Sequence, residues 1–175
     1  MKRHAPVTTD ELVGWFAGRL PEDWFVGAPE VTADREEILV IGTIADPDLP
    51  SDATPDAVGA ARATRIDGFR EDTRERRMRI AQEAQHRFGR HVSWGAECGD
   101  LRKLFTTVSV PAMTRLRMPE RRVLDTLVEG GVARSRSHAL AWCVRLVAEK
   151  QDEWLADLRE ALRTVEKVRD EGPSA

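Results

Sequence analysis

The chain has little cysteine and histidine, and no long apolar run. Its two cysteines, Cys98 and Cys143, are isolated and give no disulfide framework, and its four histidines are scattered without metal-ligand spacing. No apolar run approaches the roughly 18 residues of a membrane span. The opening MKRHAPVTTDEL lacks the apolar core of a signal peptide. P-loop, dinucleotide-binding glycine, HExxH and GxSxG signatures are all missing. These absences set aside a secreted disulfide mini-protein, a zinc finger, a membrane protein and the common enzyme motifs. They lead to the expectation of a cytoplasmic, non-enzymatic protein with no metal and no cofactor.

What is present is charge, unevenly spread. The 175 residues carry 27 basic and 30 acidic groups, a formal net charge of -3. Residues 1–60 are net -8, residues 61–103 net +4, residues 104–150 net +4, and residues 151–175 net -3. A basic middle between acidic ends permits a local polyanion site, although a solvated face of mixed charge has the same composition. With 41% hydrophobic residues the chain can bury an ordinary core in one domain or two small ones.

The N-terminal part reads as a small α+β unit over residues 1–103. Thr8 and Glu11 form a capping box ahead of Leu12, Val13, Trp15, Phe16 and Leu20, and Pro21 stops that helix. Residues 24–33 and 37–45 are rich in β-branched and aromatic side chains around a polar corner at 34–36, which predicts an antiparallel hairpin. A proline- and aspartate-rich loop follows at 46–56. Thr54 and Pro55 then open a long helical stretch to about Phe88, which Gly68 could interrupt and Gly89 terminates. Seven arginines lie between positions 70 and 90 and predict one strongly basic face. Residues 91–94 are expected to add a strand beside the hairpin. Neither a GxxG loop between helices nor an aromatic stacking pair marks this unit as an RNA-binding domain.

Residues 104–175 carry a sharper pattern. LFTTVSVP (104–111) has strand composition. In Met113-Thr114-Arg115-Leu116-Arg117-Met118, a strand places Thr114, Leu116 and Met118 on one face and Met113, Arg115 and Arg117 on the other. Pro119 and Glu120 suit a helix start, and Val123, Leu124, Leu127 and Val128 follow at helical spacing. Gly130-Gly131 ends this helix. Ser135 or Ser137 can cap the next, whose buried line is expected to be Leu140, Cys143, Val144 and Val147. Leu155, Leu158, Leu162, Val165 and Val168 continue the spacing to about Arg169 and predict a long extension of that second helix. Trp15, Trp24, Trp142 and Trp154 lie within apolar patterns and are expected in the core.

A strand, a helix, a glycine turn and a helix cannot bury a core in some 40 residues, and the strand needs a partner edge. Two copies solve both problems. On these residues, 112–150 resembles the ribbon-helix-helix family of dimeric DNA-binding proteins. The distinctive marks are the alternating strand into Met-Pro-Glu, the LDTLVEGG helix end and the SRSHAL opening. In many members the motif begins the chain, whereas here more than a hundred residues precede it.

The resemblance implies a homodimer that lays a paired β-ribbon in the major groove of double-stranded DNA. It assigns base contacts to Met113, Arg115 and Arg117, and phosphate contacts to the backbone at Ser135, Arg136 and Ser137. Thr114, Leu116 and Met118 are then expected to face the dimer core. The function implied is a sequence-specific transcriptional regulator. Two other readings fit the residues: a protein-interaction factor docking through its N-terminal domain or C-terminal helix, and an RNA- or ribosome-associated protein using the arginine-rich helix at 70–90.

Cys98, with His91, Glu97 and Asp100 nearby in sequence, could suggest a Cys/His nucleophile. No orienting group or oxyanion loop accompanies them, so a structural thiol is the expectation. His86 and His138 fall in predicted helices near arginines and are read as solvated.

Overall fold

The structure, a computed structural model, describes residues 8–171 and shows an α+β protein with six helices and a four-stranded mixed sheet. The chain divides into two compact units, one up to Pro111 and one from Ala112. No helix among the described residues is long and apolar enough to cross a membrane.

In the first unit, α1 (Thr9–Arg19) begins where the Thr8 side chain accepts the Glu11 N–H at 3.2 Å, and it buries Leu12 and Phe16. Strands β1 (Glu30–Ala33) and β2 (Glu37–Thr43) pair antiparallel. Their corner is set by Asp34, whose carboxylate accepts the N–H groups of Glu36 and Glu37 at 2.8 Å each. Those two bonds hold the Asp34 carboxyl below the usual carboxylate range. The first strand of the hairpin is shorter than the sequence predicts, because Gly27 turns the chain through φ 98° and Pro29 follows. Residues 24–29 instead carry Trp24 into the core.

The β2 strand continues through an irregular loop to α2 (Pro55–Asp72), capped by Thr54, and then to α3 (Arg74–Phe88). The helical stretch is therefore broken, at Thr73 rather than near Gly68. Arg77 explains the break. Its guanidinium is buried, donating to the Thr73 hydroxyl at 3.0 Å and the Arg70 carbonyl at 2.6 Å, and it lies over the Phe105 ring at 4.9 Å. Thr73 also returns its hydroxyl to the Phe69 carbonyl, so the local side chains satisfy the backbone at the bend.

Gly89, with φ 69°, ends α3 and delivers β3 (His91–Cys98), which runs parallel to β2 through seven paired positions. The predicted strand beside the hairpin is thus present and twice as long. The turn at Gly99 (φ 58°) leads to β4 (Leu101–Leu104), antiparallel to β3, giving the order β1-β2-β3-β4. Strand structure stops at Leu104, so LFTTVSVP is not a strand. Its Phe105 N–H bonds the Trp94 carbonyl and its Val108 N–H bonds the Glu37 carboxylate, which places the segment across the sheet ends.

The core of this unit is aromatic. Phe16 meets Trp15 at 4.8 Å and Trp94 at 6.1 Å, both edge to face, with Ile38, Val40, Ile80 and Phe88 filled in around them. Each such fully buried side chain contributes about 1.5–3 kcal/mol. Trp94 is a core residue, whereas Trp154, expected in the core, is 58% exposed.

The second unit has α4 (Met118–Glu129), α5 (Arg136–Lys150) and α6 (Asp152–Glu171). Leu124, Ala133 and Ala139 form its buried cluster, with Leu116, Leu127, Val128, Leu140 and Cys143 half-buried around it. Val123, Val144 and Val147, predicted on apolar faces, are exposed in the single chain. The second helix does not run on unbroken, because Gln151 leaves helical geometry (φ −129°, ψ 30°) between α5 and α6. The Val168 side chain lies outside those described.

Arg77→Ala removes two hydrogen bonds and a stacked guanidinium from the bend. We expect it to destabilise the first unit by about 2 kcal/mol, read as a lower urea midpoint at unchanged slope.

Candidate nucleic-acid interface

Residues 112–117 run extended into α4 with no strand partner among the described residues. The strand predicted at Met113–Met118 is not assigned in the single chain, and its last residue, Met118, already belongs to α4. A strand is defined by the ladder it shares, and one chain offers this segment none. It is tied to the helices at one point: Leu116 packs on the buried cluster, and its carbonyl accepts from Arg121 at 2.7 Å. Thr114 and Met118 are exposed, so of the face expected to point at a dimer core only Leu116 is covered in one copy.

Met113, expected on the opposite face, is 98% exposed and lines the same groove as Thr114 and Leu116. Arg115 and Arg117 are exposed, and neither guanidinium forms a hydrogen bond or ion pair among the described residues. Two cations spaced two residues apart form a donor array with no acceptor among the described residues. Pro119 and Glu120 stand in the first turn of α4, as the sequence predicts, while Arg117 at the N-cap makes no capping bond.

Gly130 and Gly131 (φ 74°) close α4, and the Leu127 carbonyl accepts both the Val132 and the Ala133 N–H. Ser135, rather than Ser137, caps α5: its hydroxyl accepts the His138 N–H at 3.2 Å. His138 is half-buried, with Nδ1 accepting the Arg134 N–H at 3.3 Å. The N–H groups of Arg136 and Ser137 have no acceptor among the described residues, leaving two donors at the positive end of the α5 dipole.

Arg136 itself is engaged. It holds Asp125 of α4 through two bonds, at 2.6 and 2.8 Å, clamping the two helices together. This guanidinium keeps the Asp125 carboxyl below its ordinary range, and the carboxylate raises Arg136. Any phosphate contact at Arg136 therefore falls to its backbone. Met113, Thr114, Leu116, Arg121, Arg136 and Ser137 line one groove of about 310 Å³, so the extended segment and the α5 N-terminus adjoin. Arg115 and Arg117 lie outside it.

Sequence reasoning missed Arg121 and Asp125. Their partners lie across an extended segment and across a glycine turn, where no helical or strand period signals a contact.

Residues 70–90 of the first unit form no comparable array. Arg77 is buried, Arg87 reaches Glu11 at 3.5 Å, and the exposed Arg74, Arg76 and Arg79 alternate with Glu71, Asp72, Glu75 and Glu83. The expected basic face of residues 70–90 is thus a mixed one. Cys98 is fully buried at the end of β3, with its thiol 3.3 Å from the Asp46 carboxylate, and His91 stands at the other end of the same strand. Burial and then Asp46 push the thiol pKa up, the reverse of what a nucleophile needs. Arg62 draws Asp46 (2.8 Å) and Asp100 (2.7 Å) together over the Gly99 turn, a structural tie. No group of three potential metal ligands occurs among the described residues.

Because the folded-state pKa of Asp125 is depressed, its clamp stabilises above the ordinary aspartate value and is lost as pH falls through the folded one. Asp125→Asn should lower the melting temperature at about pH 7 and converge with the parent below about pH 3. Circular-dichroism melts across that range check it.

Two family profiles match the chain: the Rv1265-like protein N-terminal domain over residues 10–104, and the Mb1296 C-terminal domain over residues 117–169. Mb1296 of Mycobacterium bovis and Rv1265 of Mycobacterium tuberculosis are each 59% identical to it over 160 residues, 91% of this chain and 69% of theirs. No solved structure matches it. The N-terminal match covers more than half of the chain and the identity runs through both units, so this protein belongs to the Rv1265-like family.

Proposed function

We propose that the protein is a homodimeric, sequence-specific DNA-binding transcriptional regulator of the cytoplasm, without enzymatic activity. Residues 112–117 of two copies pair as an antiparallel ribbon that enters the major groove. The observation that carries this reading is the segment 112–117, unpaired among the described residues, whose exposed side chains include two guanidinium groups with no partner there. Pairing two such edges gives each backbone its missing acceptors and donors, and covers Thr114, Leu116 and Met118. It also sets four arginines on one outer face.

Arginine suits that position because its planar fork donates two bonds to guanine O6 and N7. The free N–H groups of Arg136 and Ser137 are suited to anchoring a phosphate beside the ribbon. Arg121 positions the ribbon by holding the Leu116 carbonyl. The first unit is left to effector or partner binding. The mixed charge of residues 70–90 makes an RNA reading through that helix the weaker alternative.

The test is selection of bound fragments from genomic DNA, followed by gel shifts. Wild type should enrich a short repeated site, with affinity that falls steeply as salt rises. Arg115→Ala or Arg117→Ala should each cost about 1–3 kcal/mol and relax preference at one base position. Equal loss on all sequences turns these residues into phosphate contacts. Absence of any enriched site, or an undiminished double mutant, overturns the reading.

A further inference from the structure

The chain leaves the carboxyl end of β2 at Thr43 and crosses to α2, and a groove of about 420 Å³ opens there. Crevices outside the carboxyl ends of parallel strands are where open sheets take ligands. The apolar part of its lining is Ile44, 5% exposed, the half-buried Phe69, and Trp24, 8% exposed. Trp24 stands edge to face with Phe69 at 5.7 Å, and its indole N–H has no acceptor among the described residues. A donor on a side chain nine-tenths buried is costly to leave unsatisfied, and the groove is free volume that Trp24 borders. Arg76 lies over the Trp24 ring at 6.0 Å and does not line the groove.

Three ionic side chains surround this apolar lining. Arg65 and Asp72 stand two turns apart on one face of α2, about 10 Å along the axis and about 20° around it, with Phe69 between them. Asp23 comes from the segment before β1, beside Trp24. All three are exposed, and none forms a hydrogen bond or ion pair among the described residues. Their neighbours on α2 behave otherwise: Arg62 is tied to Asp46 and Asp100, and Asp67 to Lys103.

One cation and two carboxylates around an aromatic lining complement a molecule with an anionic group, a cationic group and an apolar body. A carboxylate fits the fork of Arg65, with the Trp24 N–H as a further donor, and an ammonium fits Asp72 and Asp23. The apolar body then lies against Phe69 and Ile44. A plain organic anion leaves two carboxylates unanswered, and a plain amine leaves Arg65 so. The volume suits a small molecule. We propose that this groove binds a small apolar zwitterion, an α-amino acid with a hydrophobic side chain. Binding is a property of the first unit and stands whether or not residues 112–117 read DNA.

The test follows the Trp24 indole N–H in nitrogen–proton correlation spectra of the full chain, assigned through Trp24→Phe, while L-phenylalanine is titrated. The signal should shift saturably, and calorimetry should return the same affinity without the assignment. Phenethylamine, which lacks the carboxylate, and 3-phenylpropanoate, which lacks the ammonium, should each bind at least about tenfold more weakly. Arg65→Ala and Asp72→Asn should each weaken L-phenylalanine about tenfold at an unchanged melting temperature, since both side chains are exposed. Arg115→Ala/Arg117→Ala should leave this binding intact, which separates it from the DNA reading. No saturable response to L-phenylalanine or L-leucine up to about 10 mM overturns the proposal. Equal binding of either one-charge analogue, or an undiminished Arg65→Ala or Asp72→Asn variant, overturns it as well.

Discussion

The first unit depends on the parallel ladder between β2 and β3. Seven positions pair, from Glu37 with His91 to Thr43 with Glu97. Two parallel neighbours cannot be joined by a tight turn, so the chain must leave one end of the sheet and return to the other. The 47 residues between them do this as loop, α2 and α3, which is why the arginine-rich stretch is a crossover before it is anything else. Its inward line of Ile66, Arg77, Ile80, Ala84 and Phe88 is dictated by the sheet beneath it. Arg77 bends the stretch at Thr73, and the same guanidinium lies against Phe105, just past the last strand.

The second unit is governed by an opposite condition, backbone with nothing to pair with. Its helices enclose a small core of Leu124, Ala133 and Ala139, held by the Asp125–Arg136 clamp and the Leu127 carbonyl at the glycine turn. Around that core lie Val123, Val144 and Val147, all exposed, the extended segment at 112–117, and α6. These sixty residues leave much apolar surface uncovered and one edge unpaired. The proposed ribbon accounts for part of that surface, by backbone pairing.

Local elements were legible wherever a local rule generated them. Thr8, Thr54 and Ser135 cap the helices they precede, Gly89 and Gly131 adopt positive φ at helix ends, and Asp34 turns the hairpin. Among the candidate site residues, Met113, Arg115 and Arg117 are exposed as the spacing predicts, but of the other face only Leu116 is covered, and Thr114 and Met118 are exposed too. Long-range matters were not legible. Trp154 sits in an apolar pattern yet is exposed, because the pattern records a face and not what covers it. Arg77 looks like one more member of a basic run, yet it is buried, because the bend supplies it with a hydroxyl and a carbonyl. Arg136 stands at a helix start that attracts anions, and its side chain is already taken by Asp125, eleven residues back across a turn.

The sequence by itself determined the helix ends, the turns, the α+β character and the free cations of the extended segment, since each depends on neighbours within one turn of chain. Tertiary structure decided the rest: β3 lies parallel to β2, the long helix breaks at Thr73, and Cys98 and His91 stand at opposite ends of one strand. Those outcomes depend on which distant surfaces meet, and hydrophobic burial carries no address in the local pattern.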